Sequence, residues 1–429
     1  MNNNLPPWQS FLEHAELSDV GLRRSNNQDS FRQVTAGNQQ QWQSRGHLFM
    51  VADGMGAHAA GELASKMAVD AVGLTYYKLL DRSAADALRK AIEEANDKIH
   101  AGGQANPDFK GMGTTTSVLL LLPEGAVVGH VGDSRVYRLR GNRLEQLSFD
   151  HSLVWEMMAG NKLTEGEMPG YIPKNIITRS LGPTEHVQVD LEGPFPLAVG
   201  DTFLLCSDGL SGPVGDTDLG IVLATLPPAE AARTLVDLAN LRGGPDNITV
   251  LVARVLSMPP NAGGSRAARG PGQAVATGWW VALGVLGLAA AALVLAQQHL
   301  AAAGCGVAAL GTALTMFLRR FSGGDGQTLA SGARLGRGPH RSYVCELDLP
   351  AAQRMAAVVE PLREEAVQQH WEIDWPHFDG LCRQAATAQA GQDYAGAIRA
   401  YCRAISFMMQ QLRTKQARGA KPAVDLDAL

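Results

Sequence analysis

The chain has 429 residues, 45% hydrophobic and 18% charged, which is enough apolar material for a sizeable core and excludes a wholly disordered chain. A formal net charge of −5 lacks the basic footprint of a general nucleic-acid binder, so no nucleic acid is expected as partner. Five cysteines (Cys206, Cys305, Cys345, Cys382 and Cys402) lie far apart without a CxxC pair, which reads as reduced thiols rather than a disulfide framework. Residues 1–13 carry no basic region followed by an apolar core, so they are expected to be a disordered N-terminus and not a secretion signal. Residues 14–256 then form one block. The runs 47–52, 116–122, 126–131, 202–206 and 248–256 are short, rich in Val and Leu, and bounded by Gly, Pro or Asp, as strands are. Two helical faces separate the first run from the second: Leu63, Met67, Ala71 and Leu74, then Leu88, Ile92, Ala95 and Ile99. Several strands in succession after two helices predict antiparallel sheets with helices outside.

Residues 257–278 are a Pro/Gly/Ala linker. The runs 279–296 and 300–318 contain no charge and are separated by Gln297, Gln298 and His299. A bilayer core takes about 20 apolar residues per helix, so a two-helix transmembrane hairpin over 279–318 is expected, with a buried hairpin of a soluble domain as the other reading. Arginines flank both ends and none lies in the turn, which places both termini in the cytoplasm. Residues 319–341 read as a basic, Gly-rich linker near the lipid headgroups. Residues 342–429 read as a small all-α domain. Within it GQDYAGAIRAYCRAI resembles half of a tetratricopeptide unit, with Tyr394, Ala397, Tyr401 and Ala404 on one face. That face fits either a site for a docking partner or an inert helical hairpin.

The chemistry is carried by aspartates. VADGMGAHAAGE stops an apolar run on Asp53 and follows it with glycines. Alone, this is an ordinary Asp-Gly turn. But Asp133 in GHVGDSRVYRLR, Asp208 in FLLCSDGLSG and Asp246 in GGPDNITVLVARV sit in the same kind of place, and Asp29 ends RRSNNQDSF. Carboxylates gathered at strand ends disfavour their own ionised forms unless a cation is present. Oxygen-only ligands select Mg²⁺ or Mn²⁺. His58, His130 and His151 show no ligand spacing, so zinc is not expected. A pair of hard cations would acidify a water and aim it at phosphorus, and Arg24 offers a planar fork for the phosphate.

SDVGLRRSNNQDSF, VADGMGAHAAGE, MGTTTSVLL, VGDSRVYRL, DHSLVWEMMAGNKLTEGE, NIITRSLG, LLCSDGLSG and PDNITVLV occur in that order. In this series the chain resembles the metal-dependent serine/threonine protein phosphatases of type 2C, in their bacterial form, over about residues 16–256. The resemblance implies an α+β fold: a central sandwich of two antiparallel β-sheets flanked by helices, here followed by the hairpin and the C-terminal helices. It implies that Asp53 bridges two Mn²⁺ or Mg²⁺ ions, that the Gly54 carbonyl binds one, and that Asp208 and Asp246 complete the pair. Asp133 would hold a third ion, Asp29 would act through water, and Arg24 would hold the substrate phosphate. Residues 152–174 match the family's flap.

Three positions depart from the pattern: Gln28 stands where many relatives carry Glu, and Ala57 where Gly is usual. Met55 replaces a histidine proposed as general acid in animal relatives, so that role does not carry over. The expected protein is an inner-membrane phosphatase with its catalytic domain in the cytoplasm, acting on phosphorylated proteins alongside a Ser/Thr kinase. A pseudophosphatase scaffold is the alternative, and retention of Asp53, Asp208 and Asp246 argues against it.

Overall fold

A computed structural model describes residues 5–56, 59–161, 173, 176–259 and 334–417. The chain divides into two compact units, one comprising 1–262 and 334–429 and the other 263–333. The described residues belong to the first. The expected transmembrane hairpin, 279–318, lies outside them; among the described residues no helix is long and apolar enough to cross a membrane.

Twelve strands are described: β1 (Leu12–Asp19), β2 (Asp29–Val34), β3 (His47–Met55), β4 (Gly113–Thr114), β5 (Thr116–Leu122), β6 (Gly125–Val131), β7 (Arg135–Arg140), β8 (Arg143–Gln146), β9 (Asp190–Phe195), β10 (Thr202–Cys206), β11 (Ile248–Val255) and β12 (Arg341–Val344). They form two antiparallel sheets, β1-β11-β10-β7-β8-β12 and β2-β3-β5-β6-β9, with β4 beside β3. The helices are α1 (Pro7–Ser10), α2 (Gln39–Arg45), α3 (Ala60–Lys78), α4 (Ala84–Ala105), α5 (Leu153–Asn161), α6 (Asp208–Ser211), α7 (Asp216–Thr225) and α8 (Pro228–Leu241), then α9 (Leu349–Gln368), α10 (Trp375–Ala390) and α11 (Tyr394–Ala417).

Strand alternation builds two layers of core from each sheet. Phe203, Leu205, Leu251 and Ala253 point inward and meet Phe49, Val51, Leu119 and Leu121 of the other sheet. Leu204, Val250 and Val252, one residue out of phase, point outward into a second core with α7 and α8. Burial on both faces is why these strands read as unbroken apolar runs. Helices α3 and α4 pack with the other sheet. On α4 the expected face Leu88, Ile92, Ala95 and Ile99 is fully buried. On α3 Ala71 of the expected face is buried, but the main buried stripe is Ala60, Ala64, Ala68, Val72 and Tyr76, while Leu74 is 54% exposed. Small residues let α3 lie close to its neighbours, and the larger leucine is turned to solvent.

Two boundaries move. Residues 7–13, expected to be disordered, form α1 and the start of β1, because Phe11 is buried against the rings of Trp42 and His47. The linker assigned to 319–341 gives way by residue 334, and β12 adds a strand beside β8 at the end of the first sheet. The C-terminal helices share the outer core of that sheet: Met355, Val359, Ala397, Ile398, Cys402 and Ile405 cluster with Leu219, Val222, Leu235 and Leu238. Ala397 and Ala404 are fully buried, and Tyr394 and Tyr401 pack against the same cluster. The face expected to be open to a docking partner is occupied by the chain itself. Contact is close enough that a Cβ on Gly220 would stand 2.2 Å from Cys345 Sγ.

Candidate active site

Strand ends deliver the aspartates. Asp29 and Asp53 are opposite each other in the β2–β3 register, so their side chains lie on one face. Thr115 Oγ1 accepts from Asp53 N at 2.9 Å, and Thr114 Oγ1 donates to Asp53 O at 2.8 Å, which fixes the end of β3. Asp133 lies two residues beyond β6, Asp208 two beyond β10, and Asp246 two before β11. Glycine at 54 and 209 makes the convergence possible: a Cβ on Gly54 would fall 2.1 Å from Gly61 O, and one on Gly209 would fall 2.0 Å from Asn247 O. Gly54 is buried beside Asp53, with its N–H donating to Gln28 O at 3.1 Å.

The carboxyls perturb one another. Burial, then the charges of Asp29, Asp208 and Asp133, pushes Asp53 well above the usual carboxylate range, and a hydrogen bond with Asp208 raises it further. Asp208 is raised by burial and by Asp246, against the opposing pull of that hydrogen bond, Arg135 and Arg24. Burial lifts Asp29 to about 7 although Ser207 Oγ donates to its Oδ2 at 2.7 Å. Asp133 rises to about 8, through burial and then the charges of Asp208 and Asp150. Arg24 is half-exposed and donates to Asp246 Oδ2 at 2.7 Å.

Asp29 Oδ1, Asp133 Oδ1 and Asp208 Oδ1 are buried without a hydrogen-bond partner. Buried polar atoms are almost always paired, so three orphaned oxygens in one mutually repelling group fit bound hard cations. Among the described residues, however, no three His, Cys, Asp or Glu side chains close around a common point as a ligand set. The carboxyls are gathered and interact pairwise; their oxygens are not drawn onto shared centres.

The residues that hold this arrangement were not singled out from sequence. The Asn247 side chain accepts from Gln28 N at 2.8 Å and donates to Val20 O and Asn26 O at 2.9 Å, clasping the loop that carries Arg24 to the one that carries Asp246. Ser207, one residue before Asp208, reaches back to Asp29. Thr115 and Ser134 share a hydrogen bond of 2.7 Å between the Asp53 and Asp133 loops. His130 and His151 are both held in hydrogen bonds within the fold. His130 is buried between Ser117 and Gly132, its pKa lowered to about 3 by burial and then by His151. Gly132 N–H donates to His151 Nδ1, which leaves the Nε2 proton for Asp190. His58, Ala57 and most of the expected flap lie outside the described residues. A hollow of about 660 Å³ between α8, α10 and α11 is remote from the aspartates and lined by none of them.

Comparison with known proteins agrees with this geometry. Residues 23–237 match the family described as Protein phosphatase 2C. The protein phosphatase PhpP of Streptococcus pneumoniae is 39% identical over 243 residues, 56% of this chain and 96% of that one. The serine/threonine protein phosphatase PstP of Mycobacterium tuberculosis is 38% identical over 248 residues, 57% of this chain but 45% of that protein. Among solved structures, the S. agalactiae serine/threonine phosphatase superposes with a TM-score of 0.51 at 38% identity, covering 57% of this chain and all of that one. The M. tuberculosis PstP/Ppp phosphatase gives 0.50 at 36%, covering 57% and 99%. Two antiparallel sheets, carboxylates converging from their strand ends, and a match over half of the sequence lead to one conclusion: the chain belongs to the protein phosphatase 2C family.

Proposed function

We propose that this chain is a membrane-anchored, metal-dependent phosphatase that hydrolyses phosphoserine and phosphothreonine in proteins. The observation that carries the metal assignment is the set of orphaned carboxylate oxygens on Asp29, Asp133 and Asp208 beside the raised Asp53. Asp53, the Gly54 carbonyl, Asp208 and Asp246 would hold two Mn²⁺ or Mg²⁺ ions, and Asp133 a third. When bound, the ions supply Lewis acidity toward the phosphoryl group and an acidified water. The chain's residues do the positioning. Thr114 and Thr115 hold the Asp53 backbone, Ser207 orients Asp29, and Asn247 keeps Arg24 beside Asp246. Arg24, half-exposed at the rim, presents guanidinium donors to an incoming phosphate. The Met55 thioether has no proton to give, so the leaving alkoxide is protonated by another group.

The uncharged runs 279–296 and 300–318 support a two-pass anchor in the inner membrane with both termini cytoplasmic. The enzymatic reading is tested by phosphate release from phosphoserine, phosphothreonine and phosphotyrosine peptides by the full chain with Mn²⁺. Release from the first two, abolished by chelator, is expected; activity that survives exhaustive chelation overturns the metal mechanism. The anchor is tested by reporter fusions after Gln298 and at Leu429, which should report opposite sides of the membrane.

A further inference from the structure

Residues 334–344 form a strap that the reaction above does not use, and the family match ends well before it, at residue 237. The strap is fastened on β9: Leu335 bridges Gly193, Gly338 N donates to Glu192 Oε2 at 2.7 Å, and His340 Nε2 lies 3.0 Å from Glu192 Oε1. It then pairs with β8 as β12. Between these fastenings it covers a small apolar cluster of Phe149, Val154, Trp155 and Met158. The Arg341 guanidinium carbon stands 3.9 Å from the centroid of the Trp155 ring, and Arg341 also reaches Met158 Sδ at 3.7 Å. His340 meets Phe149 edge-on at 5.5 Å, and Phe149 meets Trp155 in the same way at 5.3 Å.

This cluster is tied directly to the Asp133 loop. Arg135 lies 5.6 Å from the same Trp155 ring and grips Asp150 through Nε at 2.8 Å and a terminal nitrogen at 2.7 Å. His151 N donates to Gly132 O at 2.7 Å, and Gly132 N donates back to His151 Nδ1 at 3.0 Å. Gly132 precedes Asp133 in sequence. Two paths therefore run from strap to site: one through Arg341, Trp155 and Arg135, which follows Asp133 by two residues, and one through Arg341, Trp155, Phe149 and His151 to Gly132, which precedes it.

We propose that Arg341 is a positioning residue for the phosphatase site: stacked on Trp155, it fixes the 149–155 segment that leads into α5 and through it the loop that presents Asp133. The C-terminal segment is thereby a working part of the catalytic unit. This rests on reading the carboxylate end as the active site, and the test separates the two. In the full chain, Arg341→Ala should accelerate hydrogen exchange in the peptide 130–138 without metal present. With Mn²⁺ and a phosphothreonine peptide, it should lower kcat by roughly fivefold with KM little changed. Arg341→Lys should restore less than half of the loss, because an ammonium lacks the planar face that stacks. Arg363→Ala, which removes a pair with Asp379 elsewhere in the same segment, should move neither readout. Unchanged exchange at 130–138 in Arg341→Ala overturns the proposal whatever the activity. So does an equal effect from Arg363→Ala, which would mark general loosening of the segment. A wild-type chain without phosphatase activity would sink the functional reading, and the exchange measurement would still decide the coupling.

Discussion

Two regions of this molecule are built on opposite terms. At the carboxylate end, buried oxygens lack partners and neighbouring acids raise one another's pKa values. At the seam between α7, α8 and the C-terminal helices, apolar side chains from both parts are fully buried in one cluster. The first region is held by hydrogen bonds around it but leaves carboxylate oxygens unmatched; the second is complete in itself. Function is therefore expected to be sensitive to small chemical changes at the first, and folding to volume changes at the second.

The contrast is broken most severely by Asp208→Asn. A neutral amide cannot balance cation charge, so turnover should fall by about 10³-fold or more, while the metal-free melting temperature should not fall, since one of the repelling acids is gone. Wild-type turnover at limiting Mn²⁺ would mean that the site is misassigned. At the seam, Ile405→Ala should have the reverse profile. It should cost about 2–5 kcal/mol of stability in chemical unfolding, with kcat of the folded fraction nearly unchanged.

pH sharpens the comparison next. Asp29, raised to about 7, and Asp133, raised to about 8, hold protons more tightly folded than at their ordinary value of 3.8. Their contribution to stability is complete below that ordinary value and is lost as pH rises through the folded values. The metal-free melting temperature should therefore fall between about pH 4 and about pH 8, and saturating Mn²⁺ should flatten the slope. A flat metal-free profile would show that the acids are not in conflict. The smallest effect is expected on the rim of the seam, where Arg403 and Glu230 form an exposed pair at 2.7 Å. Arg403→Ala should change stability by less than about 1 kcal/mol.

Much of this was legible in the sequence, for reasons visible in the structure. Strands such as β5 and β10 are buried on both faces, so their apolar runs announce them; β8 (RLEQ) and β12 (RSYV) mix charged and apolar residues within four positions and do not. The aspartates stood out because one pattern recurs at several strand ends. Asn247, Ser207 and Thr115 did not, since a small polar residue in a turn has an ordinary local explanation. On α3 helical spacing picks out Leu63, Met67 and Leu74 with Ala71, whereas the helix packs mainly through alanines, a run too uniform in character to mark its own face. Arg341 sat in a stretch whose glycine and arginine content read as linker, and only the fold brings it to Trp155.

Strand β12 has a last consequence. It adds residues 341–344 to a sheet whose other strands all lie before residue 256, and α11 completes the core of the same body. A single cleavage between 260 and 333 should thus yield two fragments that stay clasped without a covalent link and migrate together until denatured. Two separately expressed halves should likewise find each other and reconstitute one enzyme.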